Sequence, residues 1–274
     1  MRLRSLLFVP GDRPDRFAKA AASGADAIIL DLEDSVAAAA KPRAREATAA
    51  FLAEPAGATR RFVRINPVDT GMLDADLAVA RRADGVLLPK AEGLATLVAL
   101  GQGLPPVLPI ATETPAAIFR LGEYAGSPLP LAGLTWGAED LPAAIGAATS
   151  READGRYTPP YETVRALTLF GAHAAGVPAI ETVYPSIQDL DGLAAYAARG
   201  LRDGFTGMMA IHPAQVEVIN RAFTPSADAV ARARRIVEAF AAQPDAGALQ
   251  LDGRMVDLPH LKQARRTLAL AGEE

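Results

Sequence analysis

The chain has 274 residues, 50% hydrophobic and 22% charged, with a net charge of −4. This is the composition of a globular protein with material for one large or two small cores, and an acidic balance without a long basic cluster argues against nucleic acid as the main partner. No apolar run approaches the ~20 residues of a membrane span, the opening MRLRSLLFVPGDRP does not read as a signal peptide, and cysteine is absent. No membrane partner is therefore expected, disulfide and thiolate chemistry are excluded, and a reducing cytoplasm fits.

Short apolar runs alternate with Ala-rich helical stretches from the start. Ser5–Pro10 reads as a strand, followed by a helix over Pro14–Ser23 with Asp12 as a cap. Ala25–Leu30 is a second strand ending in Asp31-Leu32-Glu33-Asp34, and a helix follows near Pro42–Ala53. Arg61–Ile65, ending at Asn66-Pro67, precedes a helix over Met72–Arg82; Gly85–Leu88, ending at Pro89-Lys90, precedes one over Gly93–Gly101. A fifth strand, Val107–Ala111, delivers Glu113 just before the helix start Thr114-Pro115, and a sixth within LAGLTWGAEDL (131–141) stops at Gly137-Ala138-Glu139-Asp140. A polar segment between Gly146 and Pro159, a helix over Tyr161–Ala175, a strand Val177–Val183 and a helix Leu190–Gly200 follow. The last repeat is Gly207–Ile211, ending at His212-Pro213, with a helix over Ala214–Ala222.

Eight strand–helix repeats without a hairpin signal predict a parallel sheet, and eight strands close a barrel. An open doubly wound sheet should carry a G-x-G-x-x-G turn after its first strand, and PGDRP lacks that spacing. The fold class expected is α/β, a (β/α)₈ TIM barrel over residues 1–224, with a C-terminal helical extension over 225–274. In such a barrel the residues just past each strand share one end. Here they include Asp12-Arg13, Asp31, Glu33, Asp34, Arg64, Asn66, Lys90, Glu113, Asp140, Tyr184 and His212.

Two carboxylates at consecutive strand tips, Glu113 and Asp140, can converge on one hard cation such as Mg²⁺, which keeps several waters and needs few protein ligands. Arginine nearby suits a carboxylate held in a bidentate grip. Each residue also has a plainer reading. Asp140 can cap the helix at Leu141-Pro142, Glu113 and Lys90 can be solvated loop charges, Arg64 can pair with a loop acid, and His212 can satisfy a backbone group. Caps alone do not require both acids and bases at so many strand ends.

Across nearly the whole chain, the motifs LFVPGDRPDRFAKA (7–20), GADAIILDLEDSV (24–36), VRIN (63–66), LLPKAE (87–92), ETPAAI (113–118), WGAEDL (136–141), ADGRY (153–157), IHPAQV (211–216) and LDGRMVDLPHLKQA (251–264) resemble the citrate lyase β-subunit family, within the wider citrate lyase and malyl-CoA lyase aldolases. The resemblance implies a Mg²⁺ cofactor on Glu113 and Asp140, Arg64 on the substrate carboxylate as a catalytic and binding residue, and Asp34 in or beside the metal's outer shell. Gly137 and Ala138 would bind substrate through backbone N–H groups. The reaction implied is cleavage of citryl-CoA or citryl-ACP to oxaloacetate and an acetyl thioester; citramalyl-CoA, malyl-CoA and a malate-synthase-like condensation are the related alternatives. Two departures bear on the substrate: Met208 stands where many relatives carry Lys, and ETVYPSIQDL lacks an acid common after the seventh strand.

By the same resemblance Asp257, in the tail, is the acid/base at the enolate carbon and reaches a neighbouring subunit's mouth, which implies a homotrimer or hexamer. Read from pattern alone, Asp257 caps a helix at Leu258-Pro259. Arg13, Arg16 and Lys19 open the first helix and can bind the phosphates of CoA or of an acyl-carrier phosphopantetheine, with Arg13 at the strand tip best placed. The chain encodes no carrier domain, so an acyl-carrier protein and a transferase subunit would be separate partners. Glu113, Asp140, Arg64 and Asp257 together argue against a barrel that binds a 2-oxo acid without turnover, and a free 2-oxo-acid aldolase would have little use for the basic cluster or the Asp257 tail.

Overall fold

The computed structural model describes residues 2–273, and these fall into two compact units, one of Leu3–Asn220 and one of Arg2 with the residues from Arg221 on. In the first unit the elements alternate: β1 (Ser5–Pro10), α1 (Phe17–Ala21), β2 (Ala27–Asp31), α2 (Lys41–Ala53), β3 (Arg60–Arg64), α3 (Leu73–Ala80), β4 (Gly85–Leu88), α4 (Leu94–Ala99), β5 (Val107–Pro109) and α5 (Pro115–Ile118). Then come β6 (Leu134–Thr135), α6 (Leu141–Ile145), α7 (Pro159–Ala174), β7 (Ala179–Glu181), α8 (Leu190–Asp203), β8 (Gly207–Ala210) and α9 (Pro213–Ala222). The unit boundary falls within α9.

The strands form one eight-stranded sheet in the order β5-β4-β3-β2-β1-β8-β7-β6, parallel at every pairing. Short parallel bridges from Val107 to Leu131 and from Ile110 to Thr135 join its two edges, and the sheet becomes the expected barrel. β5 and β6 are shorter than their apolar runs suggested, because Pro106, Pro109 and Pro130 interrupt the amide ladder there.

Strand residues alternate between the barrel interior and the helix-facing side. Leu6, Ala27, Ile29, Phe62, Leu87, Leu108, Ile110, Ile180 and Met209 belong to one buried cluster that fills the interior. Ile28, Leu30, Val63, Val86 and Leu88, on the other face, are equally buried, so the strands read as continuous hydrophobic runs. Gly85 makes room for the largest interior side chain: a Cβ there would lie 2.3 Å from the Phe62 ring.

The second unit contains α10 (Ala227–Ala242), β9 (Ala248–Leu251), β10 (Arg254–Asp257) and α11 (Leu258–Ala271). The expectation of a purely helical extension is corrected here, because β9 and β10 pair as an antiparallel hairpin. Asp252 and Gly253, at its turn, both have positive φ (52° and 75°), as a tight two-residue hairpin turn requires. Ala233, Ile236, Phe240, Val256, Leu261 and Ala264 give this unit its own core. Among the described residues no helix is long and apolar enough to cross a membrane.

The fit between Gly85 and Phe62 is testable. Gly85→Ala should cost about 1–3 kcal/mol in urea unfolding. Combined with Phe62→Leu, the two losses should fall short of additive by about 1 kcal/mol. Strictly additive losses would mean that the ring does not occupy this space.

Candidate active site

The interior period of two carries the apolar cluster up to a polar end. Asp31 follows Ala27 and Ile29 on the inner face of β2, and Arg64 follows Phe62 on β3. The two side chains meet in register: Nε and Nη2 of Arg64 each donate to one Asp31 oxygen at 2.6 Å. Nη1 of Arg64 lies 2.7 Å from Glu33 Oε2, and the guanidinium stands 4.9 Å over the Phe8 ring. Burial pushes the Asp31 carboxyl up, but the hydrogen bonds and charge of Arg64 outweigh it and hold Asp31 below its ordinary value. Asp31 also accepts the Glu33 and Ser35 N–H groups (2.9 and 3.1 Å), which folds the loop after β2 over the strand end.

Lys41, at the start of α2, is buried and ties these tips together. Its ammonium donates to the Leu32 and Glu33 carbonyls and to Asn66 Oδ1 at 2.8, 3.0 and 2.7 Å. Asn66 in turn donates its N–H and its amide to buried Asp76. Asn66 is thus scaffold and does not line the cavity.

Glu113 is no solvated loop acid: it is 4% exposed and lines the cavity. One oxygen accepts the Lys90 N–H, and no cationic side chain among the described residues pairs with the carboxylate. Burial, then the nearby charges of Asp140 and Glu33, push its pKa up to about 8. Lys90 is not a free loop charge either. Its backbone is left-handed (φ 47°), its N–H points at Glu113, and its ammonium lies 3.0 Å from Glu33 Oε1 and 3.5 Å from Asp140 Oδ1. Asp140 occupies the position before α6, yet its side chain makes no capping hydrogen bond. Gly137 packs so closely on the other acid that a Cβ would lie 2.7 Å from Glu113 Cγ, and its N–H donates to Thr112 Oγ1 (3.2 Å). Of the two N–H groups expected to meet substrate, that of Gly137 is already used within the fold, whereas among the described residues no hydrogen bond uses that of Ala138.

These groups surround a cavity of about 700 Å³ whose wall includes Phe8, Asp31, Asp34, Arg64, Glu113, Gly137, Ala138 and Asp140. Asp34 is exposed on its rim. Arg16 and Lys19 line it, but Arg13 does not: its guanidinium pairs with Asp15 at 2.8 Å in solvent, so the order of preference drawn from the sequence is reversed. Asp12 does not cap the first helical turn, where Arg13 holds the cap position without a side-chain bond. His212 reaches the wall, and its Nδ1 accepts the Ala214 N–H, as its plainer reading expected. Met208 is fully buried and off the wall; Met209 lines the cavity instead.

Among the described residues no group of three or more His, Asp or Glu is arranged to hold a metal, so any cation here would rest on two carboxylates and water. Asp257 lies in the second unit, at the cap of α11. Its Oδ1 accepts the His260 N–H and touches His260 Nδ1 at 2.5 Å, and His260 holds its carboxyl below the ordinary range. Sequence reasoning missed Glu181. This fully buried carboxylate at the end of β7 accepts bonds from Trp136 Nε1, Arg165 Nε and Tyr196 OH. Only its place at a strand end marked it.

Comparison with known proteins places these features. Residues 4–213 match the family model of HpcH/HpaI aldolase/citrate lyase. A citrate lyase subunit beta-like protein of Mycobacterium tuberculosis is 41% identical over 97% of this chain and 95% of its own length. A (3S)-malyl-CoA thioesterase of Cereibacter sphaeroides is 36% identical over 98% and 94%. The crystal structure of the M. tuberculosis protein CitE in complex with magnesium, acetoacetate and coenzyme A superimposes with a TM-score of 0.84 at 39% identity, covering 99% of both chains.

The raised pKa of Glu113 makes a signed prediction. Its folded value near 8 exceeds the ordinary carboxylate value, so the protonated form stabilises the fold, and that contribution is lost as pH rises from about 5 to about 8. In chelator-treated protein the melting temperature should fall by several degrees, roughly, across this window. Glu113→Gln should flatten the slope, and an unchanged slope in that variant would assign the effect elsewhere.

Proposed function

Because the chain belongs to the HpcH/HpaI aldolase/citrate lyase family and is a lyase of that kind, we propose that it cleaves a 3-hydroxy-3-carboxyacyl thioester, citryl-CoA first, to a 2-oxo acid and an acetyl thioester. The observation that carries this reading is the grouping of the buried Glu113 with the half-buried Asp140 and Arg64 on one cavity wall.

The carboxylate pair fits a divalent cation. Glu113 is buried without a cationic partner among the described residues and Asp140 is not spent on its helix, so two hard oxygen donors open on a cavity that admits water. Mg²⁺ held by Glu113 and Asp140 would supply Lewis acidity to the substrate's hydroxyl and adjacent carboxylate oxygens. Arg64 gives two of its five N–H donors to Asp31, which fixes the guanidinium plane and leaves donors for a substrate carboxylate. The Ala138 N–H would add a donor to the oxo acid that forms. Arg16 and Lys19, on the wall, suit the phosphates of CoA or of a carrier's pantetheine arm.

Asp257 is the proton carrier to the enolate carbon in this reading, delivered by a neighbouring copy in a homotrimer or hexamer. His260 keeps it ionised where it stands half-buried in the single chain, and further covering by another subunit would raise its pKa toward a proton-donating value. Asn caps a helix as well as Asp, so Asp257→Asn should keep the melting temperature and metal binding while turnover falls about 10²-fold or more. Full activity in that variant would remove Asp257 from the mechanism.

The direct test supplies citryl-CoA and Mg²⁺ and follows oxaloacetate through malate dehydrogenase and NADH, with EDTA as control. Metal-dependent oxaloacetate without free thiol is the expected result. Free CoA thiol would mark the thioesterase chemistry named for the Cereibacter relative. Absence of cleavage with citryl-CoA, citramalyl-CoA, malyl-CoA and a carrier-loaded substrate would overturn the lyase assignment.

A further inference from the structure

The acidic turn Gly137–Asp140 hangs from Trp136, and Trp136 hangs from a residue outside the cavity wall. Glu181 is fully buried at the end of β7, across the sheet from β6, where Leu134 and Thr135 pair with Ala179 and Ile180. Its Oε1 accepts Trp136 Nε1 (2.5 Å), Tyr196 OH (2.9 Å) and the Thr182 N–H (3.1 Å), and its Oε2 accepts Arg165 Nε (2.7 Å). Arg165 is braced by Asp203 at 2.7 Å and lies over the Phe205 ring. One carboxylate thus joins the tip of β6 to β7, α7 and α8.

The consequence falls on the turn. The indole also packs against the Tyr157 ring in a T-shaped pair, centroids 5.0 Å apart, so Trp136 has a bond at its nitrogen and a ring against it. The next residue, Gly137, has no slack, pressed on Glu113 and bonded to Thr112. A rotation of the indole would be passed to Gly137 and on to Asp140, altering the separation of the two carboxylates.

We propose that Glu181 is a positioning residue, acting through the Trp136 N–H to hold Asp140 at the spacing from Glu113 that a divalent cation requires. This rests on the reading of Glu113 and Asp140 as the metal-holding pair. Partners that orient metal ligands typically change affinity 10–100-fold when lost.

The test compares wild type, Glu181→Gln, Trp136→Phe, the double variant, Tyr196→Phe and Asp140→Asn for Mn²⁺ affinity by electron paramagnetic resonance. Quenching of Trp136 emission, from the only tryptophan, gives a second signal in the variants that retain it. Glu181→Gln and Trp136→Phe should each weaken Mn²⁺ about 10–100-fold and lower kcat similarly, with KM for the thioester within about twofold. The double variant should be no worse than the weaker single one, and Tyr196→Phe should hold Mn²⁺ within about twofold of wild type while losing some stability. Additive losses in the double variant would overturn the proposal. Should Glu181→Gln fail to fold, Trp136→Phe against Tyr196→Phe decides the same question, and equal effects overturn it. Wild type that does not hold Mn²⁺, or Asp140→Asn that holds it equally well, would instead overturn the metal reading itself.

Discussion

The two-point bond between Arg64 and Asp31 is the constraint on which the cavity depends. At the polar end of a barrel interior filled by Phe62, Ile29 and Leu87, the guanidinium and carboxylate hold each other at two points, while Glu33 takes the remaining edge of Arg64, so each fixes the other. Breaking one side would leave a buried charge uncompensated, which is far more destabilising than the pair is stabilising. Asp31 then turns its chain back through the Glu33 and Ser35 N–H groups, and this places Glu33 against Arg64 and Lys90. A structural ion pair becomes the base from which the site is assembled.

Above that base the acids outnumber their neutralising partners. Glu33, Glu113 and Asp140 share Lys90 and the edge of Arg64, and Glu113 receives only a backbone N–H from them. A fold selected for stability alone would not leave a carboxylate so buried and so weakly paired. The excess negative potential is the physical argument for a cation, independent of any likeness to known proteins.

Much of this was legible in the chain itself. Repeats of apolar strand and Ala-rich helix specify the barrel, and placing Glu113 and Asp140 immediately past apolar runs puts them at one end of it. What pattern could not supply was partnership across the sheet. Arg13, at the strand tip, reads as better placed than Arg16, yet Asp15, two residues on, captures Arg13 in solvent while Arg16 reaches the wall. Glu181 reads as one more strand-end acid until Trp136, Arg165 and Tyr196, spread over 60 positions by their numbers, converge on it. The tail hairpin was missed for a different reason: Asp252-Gly253 is a strong turn signal, but its flanking strands have only four residues each.

Lys90 carries one more implication. Its position combines a left-handed backbone, worth about 1 kcal/mol or more of strain for a residue with a side chain, with a reach of four carbons to Glu33. Glycine would relieve the backbone and asparagine would tolerate it, but neither carries an ammonium. Either replacement would leave Glu33 and Asp140 without the ammonium that lies 3.0 and 3.5 Å from them. The residue thus marks a place where backbone ease has been given up for charge balance, because the acids around it need a cation of the chain's own.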